Sequence, residues 1–97
     1  MDGQVKVTIH FYNLVRDLIG QKSEEIILEG QSTVEALLGT LETRYGPRFA
    51  AFIQAADGGL NAHIRLFLND EVLIGDCRKR PLRNGDTISL FSAVSGG

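Results

Sequence analysis

One thiol, Cys77, is present in the 97-residue chain, so no internal disulfide can form. That suits a reducing compartment. No apolar run approaches the ~20 residues of a membrane span, and no charged-then-apolar leader signals secretion. The cytoplasm is therefore the expected location, and no membrane partner is expected. Neither sign of charge dominates: ten Lys and Arg stand against twelve Asp and Glu, a net charge of -2. Nucleic-acid binding usually needs a basic domain or stripe, so no such partner is expected. The local exception is Arg78-Lys79-Arg80 followed by Arg83, which reads as a solvated loop ahead of a docking patch for an acidic partner.

Resident catalytic or metal chemistry is equally hard to find. His10 and His63 are far apart, with no Cys or acidic residue at ligand spacing from either, so no metal is expected. Asp57-Gly58-Gly59 lacks the strand–helix context of a phosphate loop and reads as a plain loop. Paired carboxylates and nucleophile–base triads are missing. Cys77 has no assured base and reads as a bystander. Repeats, low-complexity stretches and linkers are absent too, so residues 1–97 read as one domain.

The residues that are present make an ordinary globular chain, 43% hydrophobic and 23% charged, long enough for one core. Val5, Val7, Ile9 and Phe11 alternate with Lys6, Thr8 and His10, the period of a half-buried strand. Asn13 to Gly20 breaks the alternation and reads as irregular, with a turn at Gly20-Gln21-Lys22. Glu24 to Glu29 is a second strand, paired with the first as a hairpin. Ser32-Thr33-Val34-Glu35 fits a capping box. After it Val34, Leu37, Leu38, Leu41 and Tyr45 form one helical stripe, stopped by Gly46 and Pro47. Arg48 to Gln54 reads as a short second helix and 55–61 as a loop. Ile64, Leu66 and Leu68 mark a third strand, turned at Asn69-Asp70-Glu71. Val72 to Ile74 is a short return strand, Asn84-Gly85-Asp86 a tight turn, and Thr87 to Ser92 the last strand. A single apolar stripe needs a sheet to cover. A right-handed crossover then sets the third or the last strand parallel to the first. The fold class is α+β, on the plan of a β-grasp (ubiquitin-like) domain.

After the last strand comes Val94-Ser95-Gly96-Gly97. Glycines lack Cβ, so such a pair can adopt conformations and enter channels closed to other residues. Untethered termini stay mobile, which makes residues 94–97 read as a flexible tail. The bland alternative is a frayed end.

Leu68-Asn69-Asp70-Glu71, then Pro81-Leu82-Arg83-Asn84-Gly85-Asp86, then Val94-Ser95-Gly96-Gly97, in that order, resemble the ubiquitin-like sulfur carriers. The likeness is greatest to the MoaD family, the small subunit of molybdopterin synthase. It covers most of the chain, but the last 30 or so residues carry the discriminating motifs. One departure is the middle segment, 48–63, longer than the minimal MoaD or ThiS plan and more like the cysteine-biosynthesis carriers and small archaeal modifier proteins.

The resemblance implies that the carboxylate of Gly97 is activated with ATP by a partner adenylating enzyme of ubiquitin-activating type, then converted to a thiocarboxylate. It implies no cofactor held by this chain and no acid or base beyond the terminal glycine. Gly96, Ser95 and Val94 would thread into the partner, and a larger molybdopterin synthase subunit would receive the sulfur carrier. A ubiquitin-type modifier, attacked at Gly97 by lysines of target proteins, needs the same tail. A carrier for thiamine or cysteine synthesis needs it too. A plain binding module, with an accidental glycine pair, is the alternative of another class. Phe91 lies on the strand face opposite Ile88 and Leu90. It reads either as a docking anchor, since aromatics are enriched at interface cores, or as a residue packed locally near Leu14.

Overall fold

A computed structural model describes residues 3–55, 60–73 and 77–92. The alternating segment forms β1, Gln4–Phe11, whose even and odd side chains take opposite faces of the sheet. Val7, Ile9 and Phe11 are buried. β2, Ser23–Glu29, runs antiparallel to β1 in the register Gln4↔Glu29 to His10↔Ser23. Between them lies a helix, α1, Asn13–Ile19. This corrects the irregular reading of residues 13–20: Val15, Leu18 and Ile19 turn inward at helical spacing, and Gly20 closes the helix.

α2, Val34–Tyr45, buries Val34, Leu37, Leu38 and Leu41 as the stripe requires. Its start differs from the expected capping box. Thr33 is the N-cap and makes no side-chain cap bond. The Ser32 hydroxyl donates instead to the Glu29 carbonyl, and the Val34 N–H bonds Arg80 O at 3.0 Å. Tertiary bonding from the Arg80–Leu82 stretch supplies what a local cap would. Gly46 ends α2 at φ 90°, a conformation that suits a residue without Cβ, and Pro47 opens α3, Pro47–Ile53. α3 packs on α2 and buries Phe49 and Ile53.

β3, Ile64–Leu68, turns at Asn69-Asp70 into β4, Glu71–Leu73. Ile74, the last residue expected in that return strand, lies outside the described residues, as do Asp57, Gly58, Gly59 and Asp76. A 3-10 turn at Cys77–Lys79 precedes β5, Thr87–Ser92. The sheet order is β2-β1-β5-β3-β4. Between the two expected options, the last strand is the one that lies parallel to the first, from Thr8↔Thr87 to Phe11↔Leu90. β5 is antiparallel to β3 on its other side. The helices α2 and α3 cover one face over Ile9, Leu66, Ile88 and Leu90. This is the α+β, β-grasp fold expected from the element order.

Two of the motifs behind the resemblance, the turns at Asn69 and at Asn84-Gly85, are fold staples. Asn69 stands at φ 55° and ties the β3–β4 turn to β5: its Oδ1 accepts from Thr87 N–H at 3.0 Å, and its Nδ2 donates to Asp86 at 3.2 Å. Gly85, at φ 92°, donates its N–H to Lys6 O at 2.8 Å, while Asn84 Oδ1 accepts from Lys6 N–H at 2.9 Å. The Asn84-Gly85 turn therefore locks the start of β5 onto β1.

Candidate functional site

The face of the sheet away from α2 carries the odd-looking residues of each strand. In β3, Ile64, Leu66 and Leu68 are buried inward, leaving Phe67 on the open side. In β5, Ile88 and Leu90 point inward and Phe91 outward, as read from the sequence. Phe91 is half-buried. Its ring stacks on Tyr12 with centroids 4.4 Å apart and planes 9° from parallel. It also meets the Phe67 ring edge-on at 5.4 Å and 65°, a geometry that rings with a quadrupole favour. Tyr12 is 37% exposed, and Val72, opposite Phe67 across the β3–β4 ladder, is 43% exposed. His10 lies 6.4 Å from Tyr12, centroid to centroid. Phe91 is thus the middle of an aromatic group on the open sheet face, which also carries the exposed Val72 and Ile27. It packs against Tyr12 and Phe67.

Tyr12 and Phe67 escaped the sequence reading. The signal for Phe67 was available: an aromatic on the outward beat of a strand whose inward beats are all aliphatic. For Tyr12 no such signal existed, because it falls just past the end of β1.

Val94, Ser95, Gly96 and Gly97 lie outside the described residues. The strand that precedes them, β5, is tied down along its length. β5 is a central strand, Tyr12 N–H bonds Leu90 O at 3.1 Å, and Asn13 Nδ2 donates to Ser92 O at 3.0 Å.

The remaining candidates sort plainly. Arg80 makes a two-pronged ion pair with the Glu71 carboxylate. The hydrogen bond from Arg80 holds the Glu71 carboxyl below its usual range. Any stability the pair adds is present at neutral pH and is lost as pH falls through that depressed value; both groups are exposed, so the contribution is small. Asp86 accepts from Arg83 N–H at 2.8 Å in the same cleft, whose lining also includes Asn69 and Arg80. Arg80 thus finds its countercharge within the chain, whereas Arg78, read from the sequence as part of a solvated loop, is partly buried. Cys77 is buried. Among the described residues, no group of three or more His, Cys, Asp or Glu could hold a metal ion. No helix among them is long and apolar enough to cross a membrane.

A family model described as the ThiS family matches residues 9–97. The chain belongs to the ThiS family. Small archaeal modifier protein 3 of Haloferax volcanii is 30% identical to this ThiS-family chain over 94 residues, 96% of this chain and all of the relative. The solution structure of the Haloferax volcanii HVO 2177 protein superposes with a TM-score of 0.81 at 28% identity, covering 100% of this chain and 91% of that one. CysO, from the Amycolatopsis orientalis BexX/CysO complex, superposes with a TM-score of 0.72 at 26% identity, covering 94% and 99%. The sulfur-carrier and modifier resemblance is thereby borne out at the level of family, and the β-grasp fold with it.

Proposed function

We propose that this ThiS-family chain is a sulfur carrier: the carboxylate of Gly97 is adenylated with ATP by a partner of ubiquitin-activating type and then exchanges oxygen for sulfur. A carboxylate lacks a usable leaving group. Adenylation supplies one, a sulfur nucleophile displaces the adenylate, and Gly97 then bears a thiocarboxylate. The catalytic groups sit in the partners, and no residue of this chain acts as acid or base. The observation that carries the reading is the aromatic face at the root of the Gly96-Gly97 segment. It offers an adenylating enzyme an apolar handhold beside the strand that leads to the reacting group.

By the resemblance to the MoaD family, the receiving pathway is molybdopterin synthesis, with a larger synthase subunit as second partner. The work is done in the cytoplasm, by a single domain over residues 1–97. The full-length match to a small archaeal modifier protein favours a second reading, in which a lysine ε-amine attacks the activated Gly97. CysO, crystallised in complex with BexX, supports the idea that this fold works docked on a partner protein.

Incubation with ATP, the cognate adenylating enzyme and a sulfide source is expected to yield a species heavier by one oxygen-to-sulfur exchange. Mass spectrometry that finds Gly97 only in amide linkage to lysines would replace the carrier reading with the modifier one.

Phe91→Ala tests the handhold. Partner affinity is expected to fall by more than ~1 kcal/mol. Because Phe91 also packs between Tyr12 and Phe67, stability should fall too, by about 0.5–1.5 kcal/mol beyond the lost area. A lower melting temperature with unchanged partner affinity would make Phe91 a structural residue only.

A further inference from the structure

The ladder between β1 and β5 stops at Phe11↔Leu90, because the chain turns away into α1 two residues later. Ser92 still faces Ile64 of β3, but on its other flank it has no strand. Asn13 fills that gap. Its backbone takes φ 59°, a region that asparagine enters more readily than most residues. From there its side-chain amide donates to the Ser92 carbonyl at 3.0 Å, linking residues 79 apart in sequence. Tyr12 N–H holds Leu90 O next to it, at 3.1 Å. The Ser92 side chain gives no comparable hold: it is 1% exposed, and its hydroxyl has no hydrogen-bond partner.

We infer that Asn13 is a positioning residue that clamps the last carbonyl of β5 and so sets the direction in which the segment bearing Gly97 leaves the sheet. The inference rests on the reading of Gly97 as the reacting group. Five residues separate Ser92 from the reacting carboxylate, so the heading of the chain at Ser92 is where its path toward a partner begins. Fixing that heading raises the fraction of docked encounters in which the carboxylate meets ATP in reacting geometry. The clamp acts on the docked complex and adds nothing to docking itself, which belongs to Tyr12, Phe67 and Phe91.

The test is Asn13→Gly, which keeps the positive φ free of steric cost and removes the amide donor. With the cognate adenylating enzyme, kcat for adenylation is expected to fall about two- to tenfold, the worth of one hydrogen bond, with KM for the carrier unchanged. Asn13→Asp, which keeps the shape but offers an acceptor to the Ser92 carbonyl, should be at least as slow. In the free protein, the 15N heteronuclear NOE of Ser92 should drop in Asn13→Gly while that of Ile88 stays. An unchanged NOE, an unchanged kcat, or KM and melting temperature falling together with kcat would each overturn the inference. Failure of the wild-type chain to be adenylated would instead sink the sulfur-carrier reading, and the NOE would still report whether Asn13 holds Ser92.

Discussion

Replacing Gly96 with valine, deleting Gly97, or appending one residue after it is expected to cut adenylation by at least ~10²-fold, since ångström-scale misplacement of a reacting group already costs that much. The reaction needs a free α-carboxyl on Gly97 and a path to the nucleotide with no side chain in the way. Valine adds a branched Cβ where glycine has none. An extra residue moves the carboxyl past the reacting position by a full step of chain, ~3.3–3.6 Å. The fold should not register any of this, because β5 closes at Ser92 and, among the described residues, the whole core lies upstream of it. Melting curves of the variants should overlay that of the parent. Retained activity in the chain with the appended residue would rule out every terminal-carboxylate mechanism and leave a plain binding module as the best account.

Leu38→Ala is expected to cost about 2–5 kcal/mol. Leu38 is 1% exposed at the middle of the α2 stripe, inside the same core as Ile9, Leu66 and Leu90. Truncation removes its transfer energy and leaves a void between helix and sheet that neighbours fill only in part. For a domain of this size the melting temperature should fall on the order of 10–30 °C. A loss below about 1 kcal/mol in a denaturant titration would mean the helix–sheet interface collapses onto the gap or is not where the stability lies.

Elements long enough to repeat their period were legible from residues alone. β1 shows four alternations and α2 five stripe positions, and both were bounded to within a residue or so. α1 was missed because its seven residues complete fewer than two turns. Val15, Leu18 and Ile19 carry the i, i+3, i+4 spacing, but one instance of a period is not a pattern. The capping box was misread for a different reason: Ser32 and Glu35 have the right types at the right spacing, yet a distant segment already bonds the helix start. The site was legible only in part. Phe91 followed from strand alternation, whereas Tyr12 and Asn13 joined it through the parallel pairing of β1 with β5, a contact across about 80 residues that no local rule encodes.

That parallel pairing has a mechanical side. A pull along β5 beyond Ser92, with the fold held at the start of β1, would act at opposite ends of two parallel neighbouring strands. The load therefore falls in shear on the β1–β5 hydrogen bonds together, and on the β3–β5 bonds beside them, instead of unzipping them one at a time. A central strand tugged lengthwise gives way only when both ladders slip at once. A lengthwise pull on β5 would thus reach the core as a stretch that the whole sheet shares.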